Sequence, residues 1–314
     1  AVQGEKRVIP NSSRLFPMDI RRAKGPESLV NPGFQAVIHL SPAPTNTTKI
    51  YILLLLRRKG GRRAVPGVGA EGTGLLQSNH KGDDEMHFRV QTDEINYSLG
   101  MVTRAIAARP IKQVYDGVLI ETTDDALVLT CTDGEISIKA KVNAIVEEDG
   151  CALLPAKLFA EMMRKQPAGE VDVRIDDRMR ALIRSRGSNT SMACMAAEDF
   201  PDIRDVMGEN VVNLPCKRLR DAISRVLFAV STDESRKILT GILMEVHPSE
   251  TLMVGLDGFR LALQRIEAEN QLPASAAKGQ ISAVVPGRIL GEVSKMLPDS
   301  DDMAQIVFNS SHVM

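Results

Sequence analysis

Apolar residues along the chain recur with two periods, and each period predicts a different kind of element. Ile95, Leu99, Val102 and Ile106 are spaced three or four residues apart, which predicts an amphipathic helix over residues 93–109. Similar spacing predicts further helices, over residues 156–165, 216–230 and 287–297. Shorter stretches alternate apolar and polar residues, as half-buried strands do. Together these patterns predict an α+β fold of short helices and antiparallel sheets.

The predicted elements occur in two copies. An apolar segment that opens on glycine at residues 117–121 recurs at residues 241–245, and an Asp-Gly pair follows each copy after the same interval. Each Asp-Gly pair separates two alternating stretches, which predicts a β-hairpin. The hairpins are predicted over residues 126–132 with 135–142, around Asp133-Gly134, and over residues 251–256 with 259–266, around Asp257-Gly258. Residues 154–157 recur as residues 285–288, and the proline in each suits the first turn of a helix.

The repeat predicts two modules, at residues 86–205 and 206–314, joined by an acidic, proline-containing stretch at 197–210. About 45 residues follow Pro155 in the first module before this joint, but only 28 follow Pro286 in the second. We therefore expect the second module to be truncated within its last strands and to leave an exposed strand edge.

Residues 1–85 have a different composition. They hold 13 Lys/Arg against 7 Asp/Glu, with 10 Gly and 7 Pro, whereas the whole chain has 39 Lys/Arg and 40 Asp/Glu. We expect a disordered leader, or an upstream extension in front of a start at Met86; the alternative is a basic arm for nucleic acid. Residues 67–72 match GxGxxG, but neither a strand before them nor an amphipathic helix after them is predicted, so a chance match is favoured over a dinucleotide site.

The predicted helices are basic. They carry 5 Asp/Glu and 11 Lys/Arg, although solvated helix faces also favour Lys and Arg. A polyanion that meets only these helices is the natural partner for such a surface. The basic residues are Arg104, Arg109, Lys157, Arg164, Lys165, Lys217, Arg218, Arg220, Arg225, Arg288 and Lys295.

No catalytic or metal-binding motif indicates a function other than the binding of a polyanion. The five histidines lie singly, and the four cysteines are spread without a CxxC pair, so we expect no metal, no cofactor and free thiols in a reducing cytoplasm. Asp133 and Asp257 each precede glycine between strands, which favours a turn over general acid–base catalysis. The longest apolar run, residues 50–56, is far too short to span a membrane.

Several motifs in order resemble the bacterial sliding clamp family, the beta subunits of DNA polymerase III. The matching segments are residues 86–88, 131–135, 154–157, 198–202, 255–262 and 284–288. The resemblance covers both modules from residue 86, with a third clamp domain absent. It implies a non-catalytic processivity factor, a head-to-tail homodimeric ring around duplex DNA with helices on the inner face and antiparallel sheets outside.

The resemblance also implies functional positions. DNA would be met without sequence preference by the helix cations above, together with Arg236 and Lys237. A cleft for a short linear motif of the polymerase III alpha subunit, the clamp loader and other DNA polymerases would include Leu239, Leu256, Gly258, Phe259, Arg260 and Leu261. The dimer edge would lie around Ser191, Met192 and Met195, and without a third domain the chain is expected not to close a ring.

Two other classes of protein stay open at this point. A DNA-binding regulator that forms no ring would use the same basic helices but should prefer particular sequences. An NAD-dependent enzyme would depend on residues 67–72.

Overall fold

The computed structural model describes residues 35–40, 49–54, 85–107, 109–203, 210–270, 272 and 280–309. The strands are β1 (Gln35–Leu40), β2 (Lys49–Leu54), β3 (Met86–Gln91), β4 (Gly117–Thr123), β5 (Ala126–Thr132), β6 (Ile136–Asn143), β7 (Ile145–Glu148), β8 (Cys151–Pro155), β9 (Glu170–Ile175), β10 (Arg180–Ser185), β11 (Ser188–Ala193), β12 (Asn210–Pro215), β13 (Gly241–His247), β14 (Glu250–Leu256), β15 (Leu261–Glu267), β16 (Ile281–Pro286) and β17 (Met303–Asn309). The α-helices are α1 (Thr92–Val102), α2 (Ala156–Arg164), α3 (Cys216–Leu227) and α4 (Gly287–Met296). Short 3-10 segments occupy Thr103–Ala105, Gln113–Asp116 and Glu234–Thr240.

The described strands form three antiparallel sheets. An eight-stranded sheet has the order β12-β17-β1-β2-β6-β5-β4-β8, a five-stranded sheet has the order β11-β10-β9-β3-β7, and a four-stranded sheet has the order β15-β14-β13-β16. The helices pack in pairs, α1 with α2 and α3 with α4, and α1 also packs on β6. The predicted α+β fold of helices with antiparallel sheets is confirmed.

The repeated glycine that opens each module's hairpin has a packing reason. Gly117 pairs with Pro155, and a Cβ atom at residue 117 would stand 2.6 Å from Leu153 Cδ1. Gly241 pairs with Pro286, and a Cβ atom there would stand 2.5 Å from Val284 Cγ1. A side chain at either position would force these neighbouring side chains to move, which favours glycine in both copies.

Both Asp-Gly pairs form turns, as predicted. Gly134 and Gly258 have φ values of +89° and +95°, the left-handed region that glycine enters without strain. The second turn is longer than expected: its strand begins at Leu261, so Phe259 and Arg260 belong to the turn. In this turn the backbone N–H groups of Phe259 and Arg260 both donate to Asp257 Oδ1, and the Asp257 N–H donates to the carbonyl of Arg260.

The first helix is shorter than its apolar period predicted. It ends at Val102, and a 3-10 segment continues to Ala105. Thr103 donates its hydroxyl to the carbonyl of Leu99, and Pro110 disfavours helical backbone in the residue before it. Arg104 therefore lies in the 3-10 segment, and Arg109 lies beyond it.

Two parts of the expected leader are strands. β1 pairs with β17 and β2 pairs with β6, so the expectation of disorder is wrong for residues 35–40 and 49–54. The expected open edge at β17 is wrong for the same reason, since β1 covers it. The rest of residues 1–84, including the GxGxxG match at 67–72, lies outside the described residues. Of the helices described, none is long and apolar enough to cross a bilayer.

Candidate nucleic-acid interface

The helices expose their basic residues because their apolar stripes face the sheets. In α3, Leu219, Ile223 and Val226 are fully buried, and the helical period leaves Lys217 and Arg225 exposed. In α2, Phe159 and Met163 are buried and Arg164 is exposed. The fold therefore separates core and charge on each of these helices as the sequence predicted.

Five of the predicted DNA-binding cations are exposed and make neither an ion pair nor a side-chain hydrogen bond within the described parts of the chain, whereas Arg218 makes only a weak hydrogen bond to a backbone carbonyl. They lie on or after α1, α2 and α3. A cation that makes no ion pair has more of its charge available to an external anion, so these side chains are the strongest candidates for phosphate contact in the predicted set. They are Arg109, Arg164, Arg225, Arg236 and Lys237.

Two other predicted cations join the modules to each other. Arg104 Nη1 lies 3.3 Å from Glu292 Oε2 on α4. Arg288, at the start of α4, places Nη2 2.9 Å from Asp133 Oδ2 and 3.1 Å from Glu135 Oε2 in the first module's turn. Each of these cations is therefore engaged by carboxylates across the module boundary, and its contact with DNA stays a prediction.

Five more predicted cations have acidic neighbours close by. Lys165 Nζ lies 2.8 Å from Glu161, and Lys295 Nζ lies 2.7 Å from Glu292, pairs that the i,i+4 and i,i+3 spacings in the sequence could have shown. The other pairs are Lys157 with Asp116 at 3.5 Å, and Lys217 and Arg220 with Asp299 at 3.6 and 2.9 Å. The hydrogen bond from Arg220 and the nearby positive charges hold the pKa of Asp299 below its usual range. Asp299 therefore stays ionised and reduces the positive charge that these side chains offer to DNA.

A shallow groove between α3 and β15 brings further guanidinium groups together. It has a volume of about 310 Å³, and Arg218, Arg225 and Arg265 line it beside Asp221 and Glu267. Arg218 also donates to the carbonyl of Glu267 over 3.5 Å, a weak contact. Arg265 was not among the predicted cations, because it lies on a strand and not on a helix.

The Asp-Gly turns hold their aspartates in structural roles. Asp133 Oδ1 accepts the backbone N–H groups of Glu135 and Ile136, each over 2.9 Å. Asp257 accepts two backbone N–H groups at Oδ1 and the Arg260 guanidinium at Oδ2 over 2.8 Å. The backbone hydrogen bonds from Arg260 and Phe259, with the Arg260 side chain, lower the pKa of Asp257 to about 2. A carboxylate held ionised in this way is a poor proton donor, in keeping with the turn role that the sequence favoured.

The predicted peptide cleft includes an exposed apolar surface, which we name the hairpin patch and define as Leu256, Phe259, Leu261 and Leu263. Leu256 and Leu261 pair directly across the turn, and Phe259 at its tip is 98% exposed. Leu263 was not predicted; it shares a strand face with Leu261, as the two-residue period shows. Leu239 is half-buried, while Gly258 and Arg260 are exposed. Exposed apolar side chains in such a group are typical of a binding surface.

The residues of the predicted dimer edge fall into different environments. β11 ends the five-stranded sheet, and Ser191 is exposed there. Met192 is 7% exposed and belongs to the core, and the Met195 N–H donates to the Leu153 carbonyl over 2.7 Å. The part of this edge that is accessible to another strand therefore consists of backbone groups and small polar side chains.

Neither a metal centre nor a reactive thiol stands out in the described chain. Among the described residues, no three His, Cys, Asp or Glu side chains are grouped to hold a metal ion. Burial raises the pKa of the Cys151 thiol to about 12 and those of Cys194 and Cys216 to about 11, and it raises the pKa of Cys131 further. Thiols kept protonated in this way are weak nucleophiles and metal ligands.

Comparison with known proteins gives matches from residue 86 onward. The family described as DNA polymerase III beta subunit, N-terminal domain, matches residues 86–204, and the central domain of the same subunit matches residues 213–314. The beta sliding clamp of Bacillus subtilis (strain 168) is 29% identical over 237 residues, and that of Halalkalibacterium halodurans is 28% identical over 240. These alignments cover 73% of this chain but only 61% and 62% of the relatives. The chain thus spans less than two thirds of the length of these relatives.

Solved structures agree in fold. The sliding clamp of Bacillus subtilis aligns with a TM-score of 0.65 at 25% identity, over 73% of this chain and 66% of that one. The beta subunit of Thermotoga maritima aligns with a TM-score of 0.62 at 22% identity, over 73% and 65% of the two chains, which shows the fold. The two matched domains lie in order and occupy most of the sequence, so the chain belongs to the family of DNA polymerase III beta subunits, the bacterial sliding clamps.

Proposed function

We propose that this chain is the DNA-facing part of a sliding clamp, a non-catalytic processivity factor that tethers a DNA polymerase to duplex DNA. The observation that carries the proposal is the set of five exposed, unpaired cations on or after the helices of a chain in this family. Contacts from such side chains to phosphates position a protein on DNA without reading bases. A tether needs this kind of contact because it must move along any sequence.

The unpaired cations and the joining cations have separate tasks in this proposal. Arg164 and Arg225 contact phosphates, while Arg104 and Arg288 hold the two modules at a fixed angle. The clamp domains we propose are residues 86–205 and 206–314. Because the work is done on chromosomal DNA in a bacterial family, the cytoplasm is the proposed compartment.

The hairpin patch is the proposed site for protein partners. Its apolar residues, with Leu239 beside them, suit a short linear motif of the polymerase III alpha subunit, the clamp loader or other DNA polymerases. Family membership supports this assignment, and so does the nearly complete exposure of Phe259. The strand edge at β11 is the proposed half of a homodimer contact, formed by backbone pairing around Ser191.

The DNA proposal is tested by two double variants of the full chain. Arg164→Ala with Arg225→Ala removes unpaired cations, and Lys165→Ala with Lys295→Ala removes two cations that are already paired with glutamates. Fluorescence anisotropy on unrelated duplexes of equal length should show a loss of about tenfold or more for the first variant, since phosphate contacts dominate affinity. The loss should be the same for each duplex and much smaller for the second variant.

A different pattern would point to another function. If one duplex binds much more tightly than the others, and the variant loses only that preference, the chain acts as a DNA-binding regulator. Equal losses in the two double variants would contradict the assignment of DNA contact to the unpaired cations.

A further inference from the structure

The groove between α3 and β15 gathers arginine side chains from two elements of the second module. We name it the arginine groove; its volume is about 310 Å³. Its polar lining consists of Arg218, Asp221, Arg225, Gln264, Arg265 and Glu267. All three arginines are exposed, so a ligand in the groove can reach them from solvent.

Most N–H donors of these arginines have no partner within the described chain. Arg225 makes neither an ion pair nor a side-chain hydrogen bond there. Arg218 makes only the weak bond of 3.5 Å to the Glu267 carbonyl. Arg265 is paired through Nε alone, which lies 2.9 Å from Glu250 Oε2. Because a guanidinium group has further N–H donors on its two terminal nitrogens, each arginine can still bind a ligand.

The two carboxylates of the groove do not neutralise its arginines. Among the described residues, Glu267 makes no side-chain ion pair, and Asp221 pairs with Arg220 of its own helix at 4.0 Å. Guanidinium groups that line one groove repel one another, and an anion between them relieves that repulsion. A phosphate suits this position because its oxygens point in several directions, toward the helix and toward the strand, and arginine binds phosphate through paired N–H donors.

The first module does not repeat this charge. Residue 241 follows residue 117 by 124 positions, and the same interval relates α3 to α1 and β15 to β6. The equivalent residues are Glu94 for Arg218, Met101 for Arg225 and Lys141 for Arg265. Since only one of the three is a cation, the fold that the modules share does not require arginine at these positions. The arginines therefore indicate a function that belongs to the second module.

We propose that the arginine groove binds a phosphate group of duplex DNA, held between Arg218 and Arg225 of the helix and Arg265 of the strand. This assignment rests on the proposed function, because it places one phosphate of the bound duplex in the groove. Three arginines and two carboxylates give the groove a net charge of +1. The carboxylates weaken the hold on the phosphate, which suits a protein that must move along DNA.

Duplex binding by the full chain tests the role of the strand cation. Arg265→Ala should reduce the magnitude of the slope of log K against log salt concentration by about one, on any duplex. The matched control is Arg184→Ala, which removes an exposed arginine of β10, a strand in a different sheet. The control should leave the slope unchanged.

A variant with the opposite sign separates a ligand-binding role from a structural one. Glu267→Gln raises the net charge of the groove from +1 to +2 and should tighten duplex binding about two- to fivefold at low salt. Loss of a structural contact would not raise the affinity. The control is Glu148→Gln, which removes an exposed carboxylate of β7 and should leave the affinity unchanged.

Inorganic phosphate, added at constant ionic strength, distinguishes the groove from the duplex. The Nε–Hε NMR signals of Arg225 and Arg265 should move together, and that of Arg184 should stay in place. Moving signals in a chain that binds no duplex would support the phosphate site while the proposed function fails. If the signals move but Arg265→Ala and Glu267→Gln bind duplex as their controls do, the assignment to DNA is overturned. Unmoved signals with no difference from the controls would overturn the phosphate site and leave the other DNA contacts intact.

Discussion

The Asp-Gly turns of the two modules have the same local chemistry but different partners. In both, one carboxylate oxygen accepts two backbone N–H groups and closes the turn. The second oxygen of Asp133 accepts Arg288 from the other module, whereas that of Asp257 accepts Arg260 from its own turn. The first turn is therefore a joint between modules, and the second is closed on itself.

The comparison shows that a cation's position on a basic helix does not determine its role. Arg288 and Arg225 both lie on exposed helix positions, but Arg288 faces Asp133 and Glu135 across the boundary. Arg225 has no ion-pair partner within the described chain. A count of charges on the helices therefore overstates the charge that is free for DNA.

The largest effect is expected at a strand position where the two modules differ in the space available to a side chain. Gly255 and Cys131 are equivalent positions two residues before each turn, but a Cβ atom at residue 255 would stand 2.5 Å from the Val226 carbonyl oxygen. Gly255→Ala should lower the free energy of unfolding by about 2–3 kcal/mol, because backbone must move. Gly100→Ala is the control, since nothing lies within 4 Å of its Cβ position. Urea unfolding measures both, and a Gly255→Ala variant as stable as the parent chain would refute the close approach of α3 to β14.

A double-mutant cycle measures the joint itself. The side chain of Asp133 is 7% exposed and that of Arg288 is 56% exposed, so solvent screens part of their attraction. Arg288→Ala and Asp133→Asn, singly and together, should give a coupling of about 0.5–1 kcal/mol in the free energy of unfolding. A cycle between Arg288 and Asp257 is the control, and it should show additivity. Additivity in the first cycle would mean that the ion pair contributes nothing to the joint.

The sequence predicted those features that depend on neighbouring residues. The two turns, the helices that follow Pro155 and Pro286, and the repeat itself came from local signals. The partners of Arg288 and Arg104 could not be predicted, because they lie 155 and 188 residues away in the chain. The strands β1 and β2 were missed because neither has an alternating apolar and polar pattern and the surrounding residues are rich in Gly and Pro.

The smallest effect is expected for the Asp257-Gly258 turn, where the aspartate pairs with an arginine of the same turn. The pKa of Asp257 is lowered from its ordinary 3.8 to about 2, so the stabilisation it gives is present above pH 4 and lost as the pH falls through about 2. Arg260→Ala should raise that pKa toward the ordinary value, as followed by NMR titration of the side-chain carboxyl carbon. Arg265→Ala, on the neighbouring strand, should leave it unchanged. A titration of Asp257 near 4 in the parent chain would contradict the hydrogen-bonded turn.

We propose that joining cations and DNA-binding cations are separate groups, and the salt dependence of duplex binding tests this division most directly. The slope of log K against log salt concentration counts the phosphates that a protein neutralises. Arg225→Ala should reduce the magnitude of that slope by about one, whereas Arg288→Ala should leave it unchanged. A slope reduced equally by Arg288→Ala would show that the side chain facing Asp133 contacts DNA, and the division of the cations would be wrong.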